Sequence, residues 1–236
     1  MSSELPIAPL VDGVSPALRL QILSTEHWSL LATRSLAWNE TFSRAGMFLS
    51  TLSGAMVAIA LVAQASRSNS GFVLFALAIL PIVLFIGVAT FVRLGSANYY
   101  DAMCIVGMNR IRAGYLELAP ELERYFVTSA HDDQAGVAIS MGVPPGMRSG
   151  LHVLAATPAV VSTLNAVIAG VIAALLGVAL DAPVVASLIT GLAGFGVVFA
   201  LQERYARSYI ARVRSSVRPI FPTPDEAPAG APKVAR

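Results

Sequence analysis

Residues 46–65 form a run without a single ionisable side chain, and this run limits the possible fold more than any other feature of the sequence. At about 1.5 Å of rise per residue, a helix of this length spans about 30 Å, the thickness of the hydrocarbon core of a bilayer. The composition agrees, because only 13% of the residues are charged, whereas soluble domains carry about 25%. We therefore predict that residues 46–65 cross a membrane as a helix.

Three further runs share this character, at residues 72–92, 153–180 and 184–201. Each is long enough to span a bilayer and contains no Asp, Glu, Lys, Arg or His. Four crossings in turn place both termini on the same side of the membrane. The sequence therefore predicts an all-α membrane protein with four transmembrane helices and helical extensions on one side.

The arginines predict which side that is, since cytoplasmic flanks of membrane helices carry an excess of Lys and Arg. The connection between the first two runs carries only Arg67, whereas the opposite side carries Arg34, Arg44, Arg93, Arg110, Arg112, Arg148, Arg204, Arg207, Arg212, Arg214 and Arg218. We expect both termini and residues 93–150 to be cytoplasmic, and the protein to lie in the cell (plasma or inner) membrane.

The segments outside the four runs have distinct patterns. Residues 1–14 contain Pro6, Pro9 and Gly13 and predict a flexible lead-in. Residues 93–150 predict a cytoplasmic helical segment in which 97–118 form a buried helix and 130–150 a loop. Residues 219–236 are rich in proline and predict a disordered tail.

Residues 15–45 predict an amphipathic cytoplasmic helix that runs into the first crossing. Ser15 followed by Pro16 is typical of a helix N-cap and first helical position. The apolar face is predicted to contain Leu20, Leu23, Leu31, Trp38 and Phe42. This face either lies at the membrane interface or packs against other cytoplasmic helices.

Small and polar residues inside the crossings are the candidate contact sites. Gly54, Gly170 and Gly191 belong to stripes of small residues that allow helices to approach closely, within one chain or between copies. Asn165, with Ser162 one turn earlier, needs a hydrogen-bond partner on another helix or water in a cavity. Both side chains are therefore candidates for a helix–helix contact or for the lining of a pore.

A basic amphipathic helix is predicted at residues 202–218. Its charged face contains Arg204, Arg207, Arg214 and Arg218. Such a row is suited to anionic lipid headgroups, at about 1 kcal/mol per cation near the surface.

Signs of catalysis are sparse. His131, Asp132 and Asp133 are adjacent, and three neighbours cannot all point at one metal ion without help, so we predict a solvated turn. The cluster formed by Glu117, Glu121, Glu123 and Arg124 is predicted to be a set of surface pairs. The sequence contains neither a phosphate-binding loop nor a nucleophile motif. We predict no catalytic residues, no metal and no cofactor.

Three stretches resemble those of an uncharacterised family of bacterial integral-membrane proteins. They are residues 27–65, residues 80–94 (LPIVLFIGVATFVRL) and residues 108–126 (MNRIRAGYLELAPELERYF). The likeness covers roughly the first half of the chain. The resemblance implies a membrane location but no activity and no functional residues.

These observations favour a non-enzymatic oligomeric scaffold or partner-binding protein that acts at the cytoplasmic face. Its expected partners are the lipid bilayer, further copies of the chain and a cytoplasmic protein. Nucleic acid is not expected, because acidic residues share the compartment of the arginines. The alternative is an oligomeric pore or small transporter lined by Asn165 and Ser162.

Overall fold

The computed structural model describes residues 14–65, 69–143 and 157–224. These residues form five α-helices and one 3₁₀ helix, and no strand occurs among them. The helices are α1 (Pro16–Ala65), α2 (Asn69–Leu118), a 3₁₀ helix (Pro120–Tyr125), α3 (Gln134–Ser140), α4 (Thr157–Ala179) and α5 (Val184–Ser216). Four of them, α1, α2, α4 and α5, are long and apolar enough to cross a membrane. The prediction of an all-α chain with four candidate membrane helices is confirmed.

Each of α1 and α2 has 50 residues, although about 20 are enough to span a bilayer. The start of α1 is explained by local chemistry, since the Leu18 amide donates to the Ser15 hydroxyl at 3.3 Å and Pro16 takes the first helical position. The predicted N-cap at Ser15 is therefore confirmed. In α1 the predicted amphipathic helix and the predicted crossing form one continuous helix.

The chain divides into two compact units, and α1 and α2 contribute to both. Unit 1 comprises residues 1–33, 103–144 and 219–236, and unit 2 comprises residues 34–102 and 145–218. Within unit 1, Leu23 lies against Gly114 and Leu30 lies against Gly107. From the first pair to the second, the residue number in α1 rises by the amount that the residue number in α2 falls. The two helices therefore pack antiparallel in this unit.

The core of unit 2 is formed by side chains from α1, α2 and α4. Phe48, Leu94, Val83, Val161 and Ile168 are all at most 4% exposed. Many apolar side chains on the outer surfaces of the same helices are exposed instead. A bundle that is apolar both inside and outside is expected where the solvent is lipid.

The α2 residues of unit 1 are buried as the sequence predicts. Cys104, Ile105, Val106, Met108 and Ile111 are each at most 8% exposed. This part of α2 is therefore the centre of unit 1 rather than a surface helix.

One local prediction is wrong. Residues 130–150 do not form one loop, because α3 begins at Gln134, where the Asp133 carboxylate caps the helix by accepting from the Gly136 amide at 2.8 Å. The apolar face predicted for α1 is partly packed, since Leu23 lies against Gly114 while Leu20, Leu31 and Phe42 are 51%, 40% and 58% exposed. Its position at a membrane interface stays a prediction.

Candidate functional site

A buried amide pair in unit 2 involves the predicted residue Asn165. Asn165 in α4 is 0% exposed, and its Nδ2 lies 3.5 Å from Oε1 of Gln202 in α5, which is 6% exposed. Sequence reasoning missed Gln202 because it lies one residue beyond the predicted end of the fourth crossing. A signal was available in the sequence, because an amide side chain buried in an apolar membrane helix usually hydrogen-bonds to a polar side chain on a neighbouring helix.

Three polar atoms around this pair have no hydrogen-bond partner in the described structure: Ser162 Oγ, Asn165 Oδ1 and Gln202 Nε2. Gly87 of α2 closes the site from another side. A Cβ atom there would lie 1.9 Å from Asn165 Oδ1 and 2.7 Å from Cε2 of Phe48. Glycine is therefore required for α2 to approach the amide. Within this one chain Ser162 and Asn165 are 2% and 0% exposed, and their predicted role in lining a pore stays a prediction.

The predicted glycines lie in two different environments of unit 2. A Cβ atom on Gly170 would lie 2.9 Å from the Gly191 carbonyl oxygen, and a Cβ atom on Gly191 would lie 3.1 Å from that of Gly170. These two glycines allow α4 and α5 to pack closely within the chain. By contrast, a Cβ atom on Gly54 would meet nothing within 4 Å. Among the described residues, the Gly54 position of the small stripe of α1 therefore faces outward.

Three residues of the predicted arginine row lie in the last part of α5, and Arg218 follows its end at Ser216. Arg204, Arg207 and Arg218 are exposed, Arg207 lies 3.5 Å from Glu203, and the side chain of Arg214 lies outside the described residues. On another face of this helix, Tyr205 packs against Phe91 with ring centroids 6.1 Å apart. Contact with anionic headgroups stays a prediction, and it depends on the arginines alone.

An ion pair that sequence reasoning missed joins α1 to α2 in unit 2. Arg34 Nε donates to Asp101 Oδ1 at 2.5 Å, and Trp38 Nε1 donates to the same oxygen at 3.0 Å. Asp101 is only 8% exposed. Hydropathy patterns do not reveal such a pair, because each partner alone predicts a solvent-facing position.

The adjacent residues Asp132 and Asp133 do not form a solvated turn, since they are 2% and 5% exposed. The Asp132 carboxylate accepts hydrogen bonds from the backbone amides of Ile220 (2.9 Å) and Phe221 (2.7 Å), and the Asp132 amide donates to the Phe221 carbonyl at 3.1 Å. Asp133 Oδ2 accepts from the Thr223 amide at 2.7 Å. We call this arrangement the aspartate clamp. It holds residues 220–223 within unit 1.

The clamp overturns part of the prediction for the C-terminal region. Disorder was predicted from residue 219, whereas residues 219–224 are held in unit 1. Residues 225–236 and residues 1–13 of the predicted lead-in lie outside the described residues. The Pro-rich composition was a poor guide because the segment is held through the backbone amides of Ile220, Phe221 and Thr223, which lie between the prolines.

The aspartate clamp also contains a positively charged side chain. Arg110 of α2 lies 2.7 Å from Asp132 Oδ2. Burial raises the pKa of Asp132, but the amide of Ile220, the guanidinium of Arg110 and the amide of Phe221 together lower it below its usual value. The pKa of Asp133 is also lowered, because hydrogen bonds from the Thr223 and Gly136 amides outweigh the effect of burial. Both clamp carboxylates are therefore ionised at neutral pH.

The other candidates for chemistry are dispersed in unit 1. Glu117 pairs with Arg19, Glu121 and Glu123 are exposed, and Arg124 lies over the Tyr125 ring at 4.9 Å from its centroid. Within the described ranges, no three His, Cys, Asp or Glu side chains come together in a group that could hold a metal ion. The backbone carbonyl of His131 accepts from Asn109 at 2.7 Å.

An apolar groove of about 610 Å³ lies in unit 1 between the start of α1 and the end of α2. It is lined by Pro16, Ala17, Leu20, Ser24, Tyr115, Leu118, Ala119, Leu122 and Phe126. The sequence did not predict it, because its lining combines the start of α1 with residues 115–126, which are far from α1 in the chain. We call it the N-terminal groove.

Comparison with known protein families, with curated proteins and with solved structures found no match to this chain.

Proposed function

We propose that this chain is a non-enzymatic, multi-pass protein of the cell membrane that forms homo-oligomers and binds a cytoplasmic protein partner. Both termini and unit 1 are then cytoplasmic. The orientation is supported by the arginines, of which eleven flank the proposed inner side while Arg67 alone flanks the outer side.

The proposal of an oligomer is supported mainly by a stripe of small residues in α1. Ser50 and Gly54 are exposed and Ala58 is half-buried, and these three residues recur at the four-residue spacing that brings membrane helices together. The described residues leave Gly54 uncovered, although Gly170 and Gly191 allow a close helix contact within the chain. A second copy of α1 is a partner that fits such a stripe.

The experiment uses the empty space at Gly54. Because a side chain there meets nothing within the chain, Gly54→Leu should leave the fold intact and block only a close approach between copies. Gly196→Leu is the matched control, since Gly196 is also exposed, lies in a candidate membrane helix and has nothing within 4 Å. Subunit number is measured in nanodiscs by mass photometry or subunit counting. An oligomer that is lost in Gly54→Leu and kept in Gly196→Leu supports the proposal, whereas a monomeric parent protein contradicts it.

Partner binding is supported by apolar side chains of unit 1 that are exposed outside the predicted crossings. Trp28 is 68% exposed, Tyr125 is 63% exposed and Val127 is 96% exposed. A photo-crosslinking amino acid in place of Trp28 should form protein adducts in cells, whereas the same substitution of Leu192, which is 74% exposed within a candidate membrane helix, should not. Adducts at neither position, together with a monomeric chain, would remove the support for this function.

The pore alternative receives less support. Its two predicted lining residues, Asn165 and Ser162, are 0% and 2% exposed within one chain. A side chain enclosed in this way contacts a lumen only after the bundle opens. Flux through proteoliposomes that disappears in Asn165→Leu would favour the pore over the scaffold.

A further inference from the structure

Two exposed arginines of unit 2, one on α1 and one on α2, share a single carboxylate. Arg44 Nε donates to Glu40 Oε1 at 2.9 Å, and Arg93 Nε donates to the same oxygen at 3.1 Å. Arg93 Nη2 also donates to both carboxylate oxygens, at 3.0 Å each. Because the two guanidinium groups bond to one oxygen atom, they lie side by side. We call Glu40, Arg44 and Arg93 the paired-arginine site.

The charges of the paired-arginine site do not cancel. Hydrogen bonds from Arg44 and from Arg93 lower the pKa of Glu40, so this carboxylate is ionised at neutral pH. Two guanidinium groups and one carboxylate leave one positive charge. The next acidic residue along α2, Asp101, does not neutralise it, because Asp101 is 8% exposed and already pairs with Arg34.

Hydrogen-bond donors for an anion remain at the site. Within the part of the chain that the structure describes, Nη1 and Nη2 of Arg44 and Nη1 of Arg93 have no protein partner. The two side chains are 51% and 52% exposed, so an anion can reach them. The planar fork of a guanidinium matches two oxygens of a phosphate group. A phosphate with a single negative charge would therefore complement the site in both charge and geometry.

The position of the site along the helices matches the level of the phosphates in a bilayer. Arg44 lies two residues before the apolar run at 46–65, and Arg93 directly follows the apolar run at 72–92. The polar headgroups of a bilayer border its hydrocarbon core at this level. Both arginines therefore flank the same edge of the proposed membrane layer.

An apolar surface continues from the site towards the predicted hydrocarbon core. Met47, one turn beyond Arg44 in α1, is 66% exposed. Ile82, three turns before Arg93 on the same face of α2, is 58% exposed. The acyl chains of a phospholipid bound at the site would lie along these side chains. A soluble phosphate has no group that contacts them, so the surroundings favour a lipid.

We infer that Arg44 and Arg93 together bind the phosphate of an anionic phospholipid, and that Glu40 is a positioning residue that holds the two guanidinium groups side by side. The inference rests on the membrane location in the proposed function, but it requires neither an oligomer nor a cytoplasmic partner. It differs from the predicted headgroup contact of α5, because here two arginines from different helices converge on one ligand. A bound lipid then links α1 to α2.

Native mass spectrometry in detergent can measure the affinity for the first bound molecule of phosphatidylglycerol. Arg44→Gln and Arg93→Gln should each weaken this affinity about fivefold, which corresponds to about 1 kcal/mol for each cation near a lipid surface. Arg19→Gln is the matched control, because Arg19 is 46% exposed, also pairs with one carboxylate and lies in unit 1. Equal weakening in all three variants would overturn the inference, since only the overall charge would then matter. Unchanged affinity in both site variants would overturn it as well.

Phosphatidylcholine with the same acyl chains tests whether the site recognises an anionic headgroup. The parent protein should prefer phosphatidylglycerol, and Arg93→Gln should lose most of that preference. A parent protein without the preference, or a variant that binds both lipids more weakly by the same factor, would contradict the inference.

Soluble competitors separate a lipid from a free anion. An excess of inorganic phosphate, or of glycerophosphoglycerol, which is the same headgroup without acyl chains, should leave phosphatidylglycerol bound. Displacement by either would show that the site takes a soluble anion instead. A protein that stays soluble without detergent would remove the membrane location itself, whereas a detergent-dependent protein without a preference for phosphatidylglycerol would remove this inference alone.

Discussion

Removal of the Asp132 carboxylate should release residues 220–223 from unit 1 without unfolding the membrane helices. The carboxylate is buried, is paired with Arg110 and accepts the amides of Ile220 and Phe221. The Arg110 side chain is 34% exposed and can be hydrated after the change, so the cost is mainly that of the lost hydrogen bonds, about 1.5–3 kcal/mol for each bond to a charged group. For the two amides the lower value sums to about 3 kcal/mol, which at about 1.4 kcal/mol per factor of ten raises the open population of this segment about 100-fold.

Hydrogen exchange in nanodiscs measures this directly, because exchange of a protected amide follows the free energy of local opening. In Asp132→Ala, the amides of Ile220 and Phe221 should exchange about 100-fold faster, while amides in the core of unit 2 near Val83 keep their rates. Glu121→Ala is the matched control, since it removes an exposed carboxylate of the same unit. Exchange that rises less than about threefold would refute the clamp.

Three further predictions follow from particular contacts. Gly87→Ala should lower the free energy of unfolding by about 1–3 kcal/mol through overpacking against Asn165, whereas Gly95→Ala, whose Cβ would lie 3.8 Å from the nearest side chain, should change it little; unfolding in detergent measures both. A double-mutant cycle on Asn165 and Gln202 should give a coupling of about 0.6 kcal/mol, the mean for hydrogen bonds between membrane helices, and zero coupling would mean that the amides do not interact. The folded state lowers the pKa of Asp132, so its stabilisation is complete above about pH 4 and is lost as the pH falls through the lower folded value. Acid should therefore speed exchange at Ile220 and Phe221, corrected for intrinsic rates, and should do so less in Asp132→Ala.

The four candidate membrane helices could be predicted because each contains one continuous apolar run in the sequence. About twenty residues without charge are needed wherever a helix meets lipid, and no distant residue changes that requirement. The N-cap at Ser15 is local in the same way, since donor and acceptor are three residues apart. Features that depend only on a short stretch of sequence could therefore be predicted.

The clamp and the groove could not be predicted, because they depend on residues that are distant in sequence. Asp132 and Ile220 are 88 positions apart, and the donors are backbone amides, which nearly every residue carries. A pair of adjacent aspartates is far more common on a surface than in a core. Arg34 and Asp101 were missed for a related reason, since a buried ion pair is recognisable only when both partners are seen together.

The central claim is that four helices cross the membrane with both termini on the cytoplasmic side. Its most direct test is labelling of single cysteines by a membrane-impermeant maleimide in intact and in permeabilised cells. The account predicts that Ala182→Cys, in the short connection before α5, is labelled in intact cells. A cysteine appended at either terminus should be labelled only after permeabilisation. Labelling of a terminus in intact cells, or a protein that stays soluble without detergent, would contradict the account.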